Sequence, residues 1–109
     1  MIKTLSKNEN LAISDLKQRL VEKFGNIEIT LFGSKSRGDG NRYSDIDILV
    51  LLDKPFTISV EEEIFDLGFE IELKYDVVVG ITIYSKEIWN SLIEMSPFCR
   101  NVVEEGIPL

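Results

Sequence analysis

The sequence predicts a small α/β (α+β) domain, a mixed β-sheet flanked by helices. Three observations carry this. Two apolar runs rich in β-branched residues, 26–32 and 45–52, are separated by a polar, glycine-rich loop. A third such run, 77–84, follows the second after one helical segment. Around these runs, apolar residues recur at three- and four-residue steps, the period of an amphipathic helix. The expected order is α-β-β-α-β-α-α, within one domain spanning residues 1–109.

The first helix covers residues 6–24, with Ala12, Ile13, Leu16, Leu20 and Phe24 on one face and Gly25 placed to end it. Residues 26–32 (NIEITLF) alternate apolar and polar side chains, as a half-buried strand does. Residues 33–44 form a loop with room for one helical turn. Residues 45–52 (DIDILVLL) form a second strand whose continuous apolar run implies burial on both faces. After a turn containing Pro55, Ser59 and Glu62 have capping-box spacing and open a helix to about residue 74. Ile64, Phe65, Leu67 and Ile71 are its expected inward face. The third strand spans 77–84. Ser85 caps a helix over 86–95 carrying Ile88, Trp89, Leu92 and Ile93. Ser96-Pro97 starts a last helix, with Phe98, Val102 and Val103 as its expected core face and Gly106 as its end. Strands two and three, joined through a crossover helix, should be parallel; strands one and two should be antiparallel neighbours.

Composition narrows the chemistry. The formal net charge is −7 and the pI about 4.6, which argues against non-specific nucleic-acid binding. A single triphosphate remains compatible, because local backbone N–H groups and a metal can hold it. Cys99 is the one cysteine, so no intrachain disulfide can form, which suits a reducing compartment. No leader-like or membrane-spanning stretch is visible, and a cytoplasmic location is the expectation. The chain has no histidine, so any metal it binds should be a hard, oxygen-liking ion such as Mg²⁺ or Mn²⁺.

The chemistry concentrates in residues 31–52, LFGSKSRGDGNRYSDIDILVLL. Side chains two apart on a strand share a face, so Asp45 and Asp47 point the same way, about 7 Å apart. Two carboxylates that close repel, and a divalent cation relieves the repulsion. Gly33-Ser34 ends the first strand at the sheet edge where Asp45 begins the second. Gly33 permits close backbone approach, and Ser34 with the following N–H groups could cradle phosphate oxygens. Phosphoryl or nucleotidyl transfer is the reaction class this arrangement suits. Each part alone is bland: a Gly-Ser pair is usually a turn, and Asp-x-Asp is often a solvated strand edge.

The combination Gly33-Ser34-x-x-Arg37-Gly38, five residues, Ser44-Asp45-Ile46-Asp47 and then Ile48 to Val50 resembles the signature of the DNA polymerase beta nucleotidyltransferase superfamily, and most of all its minimal members. The resemblance implies the nucleotidyltransferase fold. It implies that Gly33 and Ser34 contact the triphosphate and that Asp45 and Asp47 bind metal. By the same likeness Arg37 braces the loop and Ser44 hydrogen-bonds the loop backbone. It implies a nucleoside triphosphate substrate, ATP, with AMP passed to a hydroxyl acceptor. It further suggests a small helical protein partner in a toxin–antitoxin pair, this chain being the antitoxin.

Family members that carry out transfer generally have a third carboxylate on the strand after the crossover helix. Two placements stay open. Asp76, at the expected head of the third strand, supplies one; Gly80 or Thr82 is the other, and neither is a carboxylate. Asp76 is equally well a turn residue leaving the helix, and without a third carboxylate the chain would be a catalytically inactive nucleotide- or partner-binding module. Asp53 lies roughly 20 Å from Asp47 along an extended strand. Glu70 and Glu72 look like helix surface. Lys35 and Arg42 suit either phosphate contact or a solvated loop, Trp89 suits the core, and Cys99 a small buried hydrophobe.

Overall fold

A computed structural model describes residues 2–41 and 44–109. The elements run α1 (Lys7–Phe24), β1 (Ile27–Phe32), α2 (Ser34–Arg37), β2 (Ile46–Leu52), α3 (Ile58–Tyr75), β3 (Val79–Ser85), α4 (Lys86–Leu92), α5 (Pro97–Glu105) and β4 (Ile107–Pro108). The expected mixed α/β architecture is present, with β4 as an addition. The sheet order is β3-β2-β1-β4. β1 is antiparallel to both β2 and β4, and β2 is parallel to β3, as the crossover requires.

The two-residue period of β2 explains the layering. Ile46, Ile48, Val50 and Leu52 point to one face, where they join Ala12, Ile13, Leu16 and Leu20 of α1 and Ile64 and Ile71 of α3. Leu49 and Leu51 point to the other, against Trp89 of α4 and Cys99 and Val102 of α5. Helices therefore cover both faces, and the continuous apolar run of β2 has this cause. Trp89 and Cys99 are buried as expected.

Local chemistry sets the ends. Ser6 caps α1 in a full capping box: its hydroxyl accepts from the Glu9 amide, while Glu9 accepts from the Ser6 amide. Gly25, at φ 72°, ends α1. Thr57 rather than Ser59 caps α3, its hydroxyl accepting from the Val60 amide; the helix starts earlier than expected, and Ser59 falls within its first turn. Ser85 and Ser96 cap α4 and α5, and Pro97 takes the tolerated first position of α5. α4 stops at Leu92, short of residue 95.

Four expected core residues are exposed: Phe65, Ile88, Phe98 and Val103. On each helix the sheet takes only a narrow stripe, Ile64, Gly68 and Ile71 on α3, Trp89 on α4, Cys99 and Val102 on α5. Phe65, Ile88 and Val103, one step around the helix, turn outward, while the partly exposed Phe98 ring still packs edge-on against Phe32 and Trp89. Gly68 is part of the α3 stripe because a Cβ there would lie 2.7 Å from Ile81 Cδ1. Glu72 is not plain surface charge: its carboxylate accepts from the Val79 amide at 2.9 Å, at the head of β3. Among the described residues no helix is long and apolar enough to cross a membrane.

Asp15 ties α1 to α3. It accepts from Tyr75 Oη at 2.7 Å, from Lys74 Nζ at 3.0 Å and from Arg19 Nε at 2.9 Å. These bonds, the Tyr75 bond foremost, hold its carboxyl at about 2, below the usual carboxylate value. A depressed folded-state value stabilises the fold above the unfolded value of 3.8 and loses that contribution as pH falls through about 2. Asp15→Asn should cost about 1 kcal/mol at pH 7, with allowance for solvent screening. Urea unfolding from pH 7 to pH 2 checks this: the gap between parent and variant should narrow steadily below pH 4.

Candidate functional site

Asp47 is the fixed point of the site. In register it stands opposite Phe32 on β1 and Gly80 on β3. A Cβ on Gly33, the residue after Phe32, would overlap Asp47 Oδ2. A Cβ on Gly80 would lie 3.2 Å from Oδ1. The carboxylate therefore occupies space that both neighbouring segments leave free by having no side chain. Gly33 also has φ 79°, a region that favours glycine.

Gly33 opens the helical turn α2, so the phosphate-loop expectation meets a definite shape. The amides of Ser36 and Arg37 donate to Gly33 O, and those of Gly38, Asp39 and Gly40 converge on Ser34 O. The Ser34 and Lys35 amides precede the first intrahelical donor, the Ser36 amide, and so belong to the N-terminal end of the turn, the geometry that suits an anion. Gly38 closes the turn at φ 81°.

The three basic residues of the loop do different things. Lys35 is buried, 4% exposed, with its ammonium 2.6 Å from Glu9 Oε2 and 2.6 Å from the Asn41 carbonyl oxygen. It is not the solvated or phosphate-facing lysine that its place in a polar loop suggests. Burial pushes the Glu9 carboxyl up, but Lys35 and the Ser6 amide pull it further down, below its ordinary value. Arg37 spans Asp39 and Glu105, with Nε 3.1 Å from the first and one terminal nitrogen 2.9 Å from the second. It ties the loop to the end of α5, the bracing role expected of it. Arg42 lies outside the described residues.

Asp45 is exposed and lies one residue ahead of β2; Asp47 is half-buried. Burial raises the Asp47 carboxyl above its ordinary value, Asp45 raises it further, and Arg37 partly offsets both. The pair thus has excess negative charge and oxygen donors only. Those donors fit a hard divalent cation that takes the rest of its shell from water and phosphate. Among the described residues no group of three acidic, His or Cys side chains could hold a metal by itself. Ser44 Oγ accepts from the Asn41 amide at 3.0 Å, fixing the loop backbone immediately before Asp45 as expected.

Asp76 is not on a strand. It is the left-handed C-cap of α3, at φ 54°, and β3 begins three residues later, at Val79. It is exposed, on the wall of a cleft of about 500 Å³ with Ser6, Asn8, Glu9, Ser44 and Val78. Ser44 precedes Asp45, and the Ile46 amide donates to Val78 O at 2.8 Å, so the cleft adjoins the start of β2. The β3 position beside Asp47 is Gly80. Asp53, at the far end of β2, pairs with Lys86 and Asn26.

Sequence reasoning missed Glu9 as a contributor, and named Gly80 only as an open placement of the third position, not as the space that Asp47 occupies. Glu9 is readable as a capping residue from Ser6-x-x-Glu9, but its partner lies 26 positions later, and nothing local announces it. Gly80 carried a signal, because a lone glycine inside a strand pattern marks close approach of another group.

The model of the nucleotidyltransferase domain family matches residues 13–109. A Methanocaldococcus jannaschii protein named "Putative protein adenylyltransferase MJ0604" is 43% identical over 101 residues, 91% of this chain and 95% of that protein. A solved structure described as a "putative minimal nucleotidyltransferase" is 24% identical, with a TM-score of 0.60 over 95% of this chain and 97% of the other. A toxin–antitoxin crystal structure with AMP-PNP is 24% identical, with a TM-score of 0.57 over 85% of this chain and 68% of that one. At these identities the two structures speak for the fold.

The strained charge at Asp47 gives a thermal test. A raised folded-state value means the ionised carboxylate opposes folding above that value, and the cost disappears as pH falls below it. Without divalent ions at pH 7, Asp47→Asn should melt about 2 °C higher than the parent. Adding Mg²⁺ should raise the parent's melting temperature and leave Asp45→Asn/Asp47→Asn unmoved. Gly33→Ala, which drives a methyl into Asp47 and forces a positive φ, should melt lower and lose the Mg²⁺ response.

Proposed function

The chain belongs to the nucleotidyltransferase domain family, a family of transferases, and on that premise we propose that it is a Mg²⁺-dependent enzyme that passes AMP from ATP to a hydroxyl group on a protein partner. The carrying observation is the convergence of the Gly33-Ser34 turn on Asp47 at one end of the sheet. The name of the Methanocaldococcus relative supports a protein acceptor and an adenylyl group. The AMP-PNP in the toxin–antitoxin structure supports ATP, and that neighbour favours a partner of the toxin type, with this chain as antitoxin.

In this reading Asp45 and Asp47 are the metal ligands. Bound Mg²⁺ would neutralise phosphate charge and act as a Lewis acid on the transferred phosphoryl group. The chain's own residues do the positioning. The Ser34 and Lys35 amides and the Ser34 hydroxyl hold the outer phosphates at the head of α2. Asp47, fixed between Gly33 and Gly80, and Asp45 beside it set the reacting phosphate against the start of β2. The acceptor hydroxyl enters from the cleft, where Asp76 takes its proton as the oxygen bonds to the α-phosphorus; the α–β anhydride bond breaks and pyrophosphate leaves from the head of α2. Asp76 works there as an acceptor-side carboxylate, apart from the metal pair.

Gly80 favours a second reading. If the position beside Asp47 is where this fold needs its third carboxylate, the chain binds nucleotide or a partner without transfer. Incubation with α-labelled ATP, Mg²⁺ and the product of the adjacent reading frame separates the two. Transfer predicts a labelled partner, loss of label with Asp45→Asn/Asp47→Asn, and at least a tenfold slower rate with Asp76→Asn. An Asp76→Asn variant as fast as the parent removes Asp76 from the mechanism. Mg²⁺-dependent ATP binding without any label establishes the binding module.

A further inference from the structure

We propose that the Lys35 side chain is a positioning group, whose ammonium, through Glu9 and the Asn41 carbonyl, fixes both ends of the loop for nucleotide binding and does not itself contact phosphate. The proposal rests on the nucleotide-binding reading above. Lys35 and Ser85 are the buried polar side chains among the described residues. A buried ammonium needs strong partners, and Lys35 has two, both at 2.6 Å. The loop is wrapped around its stem: a Cβ on Gly40 would lie 3.3 Å from Lys35 Cδ and 3.0 Å from Ser34 Oγ.

The contacts form a continuous chain. The Ser6 amide donates to Glu9 Oε1 at 2.9 Å, and Glu9 Oε2 pairs with Lys35. Lys35 shares the Asn41 carbonyl oxygen with the Ser44 amide, which donates to it at 3.0 Å. The Asn41 amide returns a bond to Ser44 Oγ. Ser44 leads directly into Asp45, and Lys35 directly follows Ser34. The latch therefore joins the phosphate-facing turn, the carboxylate strand and the first turn of α1. Glu9 is as much a part of it as Lys35, although it lies 24 residues before Gly33. Two of its three N–H donors are committed this way, and the side chain is buried rather than presented to solvent.

Removing one partner of a buried pair leaves an uncompensated charge, and removing both can be far milder. The test compares Glu9→Gln, Lys35→Met, the double variant and Lys35→Arg. Affinity for a fluorescent ATP analogue is measured at saturating Mg²⁺ and 25 °C, where circular dichroism shows each protein folded. Loss of global stability alone leaves affinity unchanged there. Amide hydrogen exchange at Gly38, Asp39 and Gly40 is followed in parallel without nucleotide. The proposal expects Glu9→Gln and Lys35→Met to weaken binding by similar factors, tenfold or more, and to speed exchange at those amides. The double variant should be no weaker than either single one, and Lys35→Arg should recover part of the loss. Weak binding in Lys35→Met with parental affinity in Glu9→Gln would make Lys35 a direct phosphate ligand and overturn the proposal. Unchanged exchange in both single variants would overturn the latch itself. If the parent binds no nucleotide, the nucleotide reading fails, while the exchange comparison still decides whether the latch holds the loop.

Discussion

The structure depends on where one carboxylate is allowed to sit. Asp47 is a charged residue in an otherwise apolar central strand, half-buried, beside a second carboxylate. It is accommodated because the segments on either side present glycine at its level: Gly33 where β1 turns into α2, and Gly80 on β3. A side chain at Gly33 would collide with the carboxylate, and one at Gly80 would crowd it. The antiparallel β1–β2 pair and the parallel β2–β3 pair are both needed to bring these glycines to Asp47. The crossover through α3 thus belongs to the site's construction as much as the loop does.

Around that point the molecule separates the tasks of its charges. Asp45 and Asp47 keep an unsatisfied negative field at the open end of the sheet. Lys35 and Arg37, the described basic residues of the loop, are committed to carboxylates elsewhere: Lys35 to Glu9 on α1, Arg37 to Asp39 and to Glu105 on α5. The loop is thereby anchored to a helix on each face of the sheet. In the proposed reading, anion binding falls to backbone amides at the head of α2 and cation binding to the carboxylate pair. The chain's net charge of −7 is compatible with this, because the elements proposed to face phosphate are dipoles rather than basic side chains.

Much of this was legible in the sequence, for physical reasons. A strand covered on both faces must be apolar, and residues 46–52 are, Asp47 at the open end excepted. Gly33-Ser34 and Asp45-x-Asp47 carry their own local geometry. Sequence reasoning failed where the outcome depended on how wide a contact each helix makes. Phe65, Ile88, Phe98 and Val103 fit the helical period, yet each lies one step around from the stripe the small sheet covers. β4 is two residues long, too short for any periodicity, and exists only because β1 offers an edge. Asp76 looked like the start of a strand because β-branched residues follow it. Its left-handed conformation, which Asp tolerates, instead ends α3. The Lys35–Glu9 pair joins positions that only the fold brings together.

The central claim is that Gly33-Ser34 and the Asp45–Asp47 pair form one cation-and-phosphate site. Paramagnetic broadening by Mn²⁺ in an amide NMR spectrum, recorded with a non-hydrolysable ATP analogue, tests it most directly. The account predicts that substoichiometric Mn²⁺ broadens the amides of Gly33 to Arg37, Ser44 to Asp47 and Gly80 first. It also predicts that this pattern vanishes in Asp45→Asn/Asp47→Asn while the remaining spectrum stays folded. Broadening centred elsewhere, or an unchanged pattern in the double variant, would contradict it.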